Sequence, residues 1–201
     1  MMPSPVHSEV GTMTVEFESF CDTYIADLQR TLSDLSRGEL TNLFNEVTAV
    51  GRRDGSIHMI GNGGSAATPS HSAGDWSKEL QIRTISHTDN ISSFTAWAND
   101  TEYSNVFAGQ LSTFAKKGDL VIAYSGSGNS SNVIKGVEEA KNKGCRTAAV
   151  TGNYKQGNGG KLAKIVDVAV IVPSESMERI EDLQLIINHI IKEAAKANIG
   201  K

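Results

Sequence analysis

Two short runs in this sequence carry the residue types that hold an anion without a dedicated lysine. Ser125-Gly126-Ser127-Gly128-Asn129-Ser130 follows the apolar run 120–124 directly. Its three hydroxyls and free backbone N–H groups can all donate to phosphate oxygens. Gly61-Asn62-Gly63-Gly64-Ser65 follows the apolar run 57–60 in the same way, and its glycines let a ligand approach the main chain. A helix expected near Thr68-Pro69, with Thr68 as N-cap and Pro69 in the first turn, would add a positive helix end. Alone, this loop also fits a plain tight β–α connection. Two such loops at corresponding strand ends point further, to a phosphate or a phosphorylated sugar. Neither matches the GxxxxGK(S/T) nucleotide loop or the GxGxxG dinucleotide fingerprint, so no nucleotide cofactor is expected.

A second set of residues has metal-ligand chemistry. His71 and Asp75 are four apart in the helix expected after the first loop, hence on one face. Glu181 and His189 are eight apart in the last helix, a little over two turns. Two imidazoles and two carboxylates make a zinc-competent set, although a His–Asp pair at this spacing also fits a surface pair. His58 lies inside a strand pattern and reads as packing, while His7 and His87 have no partner in view. Trp76 and Trp97 flank the set and read as core or interface residues.

The elements that must position these groups follow from hydrophobic period. Phe17, Phe20, Tyr24, Ile25 and Leu28, then Leu40, Leu43, Phe44 and Val47, recur at helical spacing. Apolar β-type runs follow at 57–60, 83–87, 120–124, 147–151 and 166–172, separated by helix-length stretches at 70–80, 105–116 and 132–143 and a short one near Lys161. A long helix spans 180–197, and 156–161 is expected to be a mobile loop. Continuously apolar strands alternating with helices predict a three-layer αβα fold of the α/β class, with a five-stranded parallel sheet, two helices in front and one behind. Ligands of such sheets sit beyond the carboxyl ends of the strands.

Composition narrows the function classes. The 201 residues suit one domain, with the core at about 57–175 and a tail expected over 1–13; a net charge of −4 offers no basic stripe for nucleic acid. With 39% hydrophobic and 21% charged residues the chain is an ordinary globular one. No run of about 18 apolar residues suggests a membrane span, and residues 1–13 lack the pattern of a signal peptide. Cys21 and Cys145 have no metal spacing and fit a reducing, cytoplasmic setting.

Both loops, together with Asn99-Asp100 after the second strand, resemble the sugar isomerase (SIS) domain family, and within it the sedoheptulose 7-phosphate (phosphoheptose) isomerases. The resemblance runs from the first helices to the last. It implies contacts to the sugar or phosphate from Asn62, Gly63, Gly64, Ser65, Asn99, Asp100 and Glu181, and a phosphate cup of Ser125, Gly126, Ser127 and Ser130. Family members bind zinc through His and Glu of one helix and Gln and His of the last. Those places are held here by His71, Asp75, Glu181 and His189, so two ligands differ in length or charge. The implied chemistry is aldose–ketose isomerisation of a seven-carbon sugar phosphate, with Asp75 as base and His189 as acid. It also implies a homotetramer with active sites at subunit boundaries, and involves neither nucleic acid nor membrane. A non-catalytic relative that binds a replication initiator, or an isomerase for another phosphosugar, are the alternatives.

Overall fold

The computed structural model describes residues 15–199; the expected tail at 1–13, and His7 within it, lie outside the described residues. Helices α1 (Phe17–Ser33) and α2 (Arg37–Arg52) lead into β1 (Ser56–Gly61). Ser36 caps α2, its side chain accepting from the Glu39 N–H at 3.2 Å. Then come α3 (Gly64–Asp75), a π-helical turn over Trp76–Leu80, β2 (Arg83–Ser86), α4 (Ile91–Asp100), α5 (Val106–Phe114), β3 (Leu120–Ser125), α6 (Ser131–Asn142), β4 (Arg146–Gly152), α7 (Gly160–Ile165), β5 (Val168–Val172) and α8 (Met177–Ile199). All five strands are parallel, in the order β2-β1-β3-β4-β5.

The strand sequences explain the layers. Side chains alternate between faces, and in β3 Leu120, Ile122 and Tyr124 join a core with Leu43 and Val47 of α2 and Ile180, Leu183 and Ile187 of α8. Val121 and Ala123 join the opposite core, with Phe107 and Leu111 of α5 and Val133 and Val137 of α6. Both faces are covered, so the strands read as unbroken apolar runs. The expected αβα sandwich is the observed one.

The winding of the sheet reverses at β1, since β2 is added on one side of it and β3 on the other, all strands staying parallel. At such a switch point the loops after the two strands diverge and leave a crevice at their carboxyl ends. The two glycine- and serine-rich loops occupy these positions.

Three local expectations are corrected. The helix after the first loop starts at Gly64, with Gly63 as N-cap at φ 56°, ψ −128°. Thr68 and Pro69 are therefore buried inside it, and the turn depends on glycine at a positive φ instead of a Thr cap. The stretch before Asn105 contains helix α4, capped by the Asn90 side chain accepting from Ser93 N–H at 3.1 Å. Tertiary packing secures α4 despite its β-branched and Ser residues: Trp97 lies where a Cβ on Gly109 of α5 would be. His87, expected to stand alone, pairs with His58 through a 3.0 Å contact between Nε2 and Nδ1, and His58 Nε2 lies 3.3 Å from Asp119 Oδ2.

This buried His87–His58–Asp119 chain makes stability pH-dependent. Burial, helped by nearby His58, lowers the pKa of His87 to about 4 from an ordinary value of 6.5. As pH falls, the unfolded chain therefore takes up this proton first, and stability is lost through the window from 6.5 to about 4. Urea unfolding across that window is expected to show the loss, and His87→Phe to flatten it. An unchanged profile in the variant would assign the loss to other groups.

Candidate active site

The loops after β1 and β3 meet in a cavity of about 250 Å³ lined by Asn62, Gly63, Ser65, Tyr124, Ser125, Gly126, Ser127, Ser130, Met177 and Glu181. The β3–α6 loop is shaped by its own polar groups. Gly128 N–H donates to the Ser125 carbonyl and hydroxyl at 3.1 and 3.2 Å, and Thr151 Oγ1 donates to the Ser125 carbonyl at 2.6 Å. Gly128 has φ 65°, and a Cβ there would overlap the Gly159 carbonyl, so only glycine fits. Ser130 stands at the N-cap of α6 but makes no side-chain cap bond. Its hydroxyl lies 3.3 Å from Ser125 Oγ. The hydroxyls of Ser125 and Ser130 therefore face the cavity beside the positive end of a 12-residue helix.

The two loops are tied together by a reciprocal amide pair. Asn62 Nδ2 donates to Asn132 Oδ1 at 2.9 Å, and Asn132 Nδ2 donates to Asn62 Oδ1 at 2.8 Å. Tyr103 Oη adds a bond to Asn62 Oδ1 at 3.0 Å. Sequence reasoning singled out neither Asn132 nor Tyr103, because neither has a motif of its own.

Glu181 reaches the cavity from α8. Its carboxylate sits against the start of α3, where a Cβ at Gly64 would overlap it, and takes a backbone hydrogen bond from Ser65. Burial, then the neighbouring Glu178 and Asp182, push its pKa up; the Ser65 amide opposes them.

One to three turns further along α3 and α8 lie the other three candidates. His71 Nε2 is 3.1 Å from His189 Nε2 and 3.4 Å from Asp75 Oδ2. One ligand atom from each of His71, Asp75 and His189 falls within a 4.8 Å group, and among the described residues this is the group that could hold a metal ion. Two nitrogens bound at 2.0–2.1 Å to a tetrahedral zinc stand about 3.3 Å apart, so the set fits such an ion with a position left for a ligand. Glu181 does not belong to this set. It stands eight residues, about 12 Å of helix rise, from His189, and its carboxylate turns toward the N–H groups of α3. Asn99 and Asp100 are also apart: both are exposed at the end of α4, Asn99 Nδ2 donates to Asp100 Oδ1 at 2.9 Å, and neither lines the cavity.

A buried polar chain fixes α8 against α3. Tyr124 Oη donates to Asn188 Oδ1 at 2.9 Å, and Asn188 Nδ2 donates to Ser72 Oγ at 2.7 Å. Asn188 precedes His189 and Ser72 follows His71, so this chain sets the meeting of the two imidazoles, while Tyr124 also lines the cavity. At the other end of α8, the Arg179 guanidinium lies 3.0 Å over the Tyr24 ring and 3.0 Å from Asp182, which accepts from Tyr24 Oη at 2.6 Å. A larger open groove of about 720 Å³ between α3, β2 and α4 holds Asp89 as its one titratable residue, so it lacks the groups for such chemistry.

Sheet order and paired loops define a doubly wound α/β protein with its cavity at the switch point, and the comparisons give its family. The family model described as the SIS domain matches residues 22–152. The phosphoheptose isomerase of Sulfurimonas denitrificans is 37% identical over 173 residues, covering 80% of this chain and 87% of that one. That of Rhodospirillum rubrum is 34% identical over 184 residues, covering 89% and 95%. The solved structure of phosphoheptose isomerase GmhA from Neisseria gonorrhoeae superposes with a TM-score of 0.85 at 26% identity, covering 90% of this chain and 99% of that one. The chain belongs to the SIS-domain family, in its phosphoheptose isomerase branch.

Replacing Asn188 by Leu leaves the Tyr124 and Ser72 hydroxyls buried and unpaired. A stability loss of about 3 kcal/mol is expected in urea unfolding. A loss under about 0.5 kcal/mol would show that the chain does not hold α8 in register.

Proposed function

We propose that the protein is an aldose–ketose isomerase that interconverts D-sedoheptulose 7-phosphate and a D-glycero-manno-heptose 7-phosphate. The observation that carries this is the convergence of both loops on one cavity, with His71, Asp75 and His189 on the same two helices that flank it. The phosphoheptose isomerase relatives support the same activity, and they give no support to a non-catalytic binding protein.

Ser125, Ser127, Ser130 and the start of α6 hold the phosphate, leaving the other end of the sugar toward α3 and α8. Asp75 removes a proton from C1 of the ketose, beside the C2 carbonyl, and His189 protonates O2. The resulting ene-diol loses the O1 proton to His189, and Asp75 returns its proton to C2, giving the aldose. Neither step consumes a proton overall. His71, Asp75 and His189 would hold a zinc ion, which supplies Lewis-acid polarisation of the sugar carbonyl when bound. Glu181, drawn to the α3 end of the cavity, contacts the sugar rather than joining that set.

Association with further copies fits the exposed Phe17 (74%), Phe20 (54%) and Ile25 (51%) of α1, and a homotetramer is the expected assembly, read by light scattering. Among the described residues no helix is long and apolar enough to cross a membrane, and both cysteines are unpaired thiols; a cytoplasmic location accords with both.

Turnover of sedoheptulose 7-phosphate by the purified protein is the test. Asp75→Ala and His189→Ala are each expected to lower kcat by about 100-fold or more. Ser127→Ala and Ser130→Ala are expected to raise KM by about tenfold, one lost phosphate hydrogen bond each. Metal analysis before and after chelation is expected to show about one zinc per chain in the wild type and none in His71→Ala with His189→Ala. A wild type that leaves the sugar unchanged would overturn the isomerase reading.

A further inference from the structure

Lys192 is a charged group to which the chemistry above gives no role. It stands one turn beyond His189 on α8 and is only 8% exposed, an uncommon setting for lysine. Its ammonium is 3.4 Å from Asp75 Oδ2, 3.4 Å from Glu79 Oε1 and 3.3 Å from Glu193 Oε1. Lys196, one turn further along α8, holds the other Glu79 oxygen at 2.9 Å. Cations four apart on α8 thus meet anions four apart on α3 and its π turn. Both anions lie on a fixed backbone, since Trp76, which follows Asp75 and opens the π turn, is 1% exposed in the core.

The two rungs differ. Lys196 is 40% exposed, and exposed pairs contribute little to stability. Lys192 is desolvated, and an ammonium taken out of water needs close, well-placed counter-charges. Lys192 Nζ donates to Asp75 Oδ2 from α8 at 3.4 Å, and the same oxygen lies 3.4 Å from His71 Nε2 on its own helix. No hydrogen bond among the described residues reaches Asp75 Oδ1. One oxygen is therefore held by the ammonium while the other stays available to take a proton.

We propose that Lys192 is a positioning residue for Asp75: its ammonium holds the carboxylate in one rotamer from the α8 side, so that the proton-accepting oxygen stays aligned with the sugar. This rests on the reading of Asp75 as the base. Lys192 acts through Asp75 and is not itself a proton carrier in the reaction. Glu79 and Lys196 brace the ammonium without touching Asp75.

The test uses the full-length protein, with Lys192→Met, Lys192→Arg and Glu79→Gln assayed on sedoheptulose 7-phosphate. Lys192→Met is expected to lower kcat by about 10- to 100-fold, the range for residues that orient a reacting group, with KM within about threefold. Lys192→Arg is expected to recover most of that loss, and Glu79→Gln to stay within about twofold of wild type. In an Asp75→Asn background, Lys192→Met is expected to cost little more, because the two act as a unit. A loss carried by KM, or one of equal size in both backgrounds, would overturn the proposal. A crystal structure of Lys192→Met reads positioning without turnover: an Asp75 carboxylate rotated away from His71 supports it, and an unmoved one overturns it. A wild type that does not turn over the sugar would strike the isomerase reading alone.

Discussion

The register of α8 against α3 is the constraint on which the site depends. Ser72, Asn188 and Tyr124 form one hydrogen-bonded chain through the core, with links of 2.7 and 2.9 Å. All three residues are at most 1% exposed. A buried polar group without its partner is costly, so this chain has one satisfied arrangement, and sliding α8 by a residue would break it. That arrangement places His189 beside His71, Glu181 beside the first turn of α3, and the Tyr124 edge of β3 inside the cavity. Helix packing alone tolerates shifts of the size that would separate two imidazoles 3.1 Å apart; directional bonds do not.

The electrostatics of the cavity follow from which helix end is already satisfied. The start of α3 receives the chain's own Glu181 carboxylate, through Ser65 and against Gly64. Ser130 makes no side-chain cap bond at the start of α6, and Ser125, Ser127 and Ser130 line the cavity beside it. The start of α6 is therefore the helix end facing the cavity without a carboxylate of the chain's own against it, and the proposed phosphate position rests on that difference. The order of groups along the cavity is set by two helix termini and one internal carboxylate. A net charge of −4 is no obstacle, because these dipoles act at contact distance while distant surface charges are screened.

Much of this was legible in the residues. Apolar runs without alternation gave the parallel sheet, and the loops stood out because glycine and hydroxyl residues followed two of those runs directly. The His71–Asp75 pair was visible as an i,i+4 spacing on one helix. What escaped depended on tertiary context. The start of α3 was misplaced because Thr68-Pro69 looks like a helix start, whereas a positive-φ Gly63 begins it earlier. Helix α4 was missed because Trp97 against Gly109 holds it, with only Asn90 as a local signal. Glu181 shared a helix stripe with His189, but spacing could not reveal that the amides of α3 attract its carboxylate the other way. Asn132, Tyr103, Asn188 and Lys192 matter through partners 41 to 117 residues distant, and no local pattern encodes such pairs.

One sugar phosphate must span both halves of the site, and a crystal structure of the protein soaked with sedoheptulose 7-phosphate tests that directly. The predicted result is phosphate oxygens within hydrogen-bond reach of Ser125, Ser127 and Ser130, with the C1–C2 end beside Asp75 and His189. A phosphate bound elsewhere, or a sugar whose reacting carbons point away from α3 and α8, would contradict it.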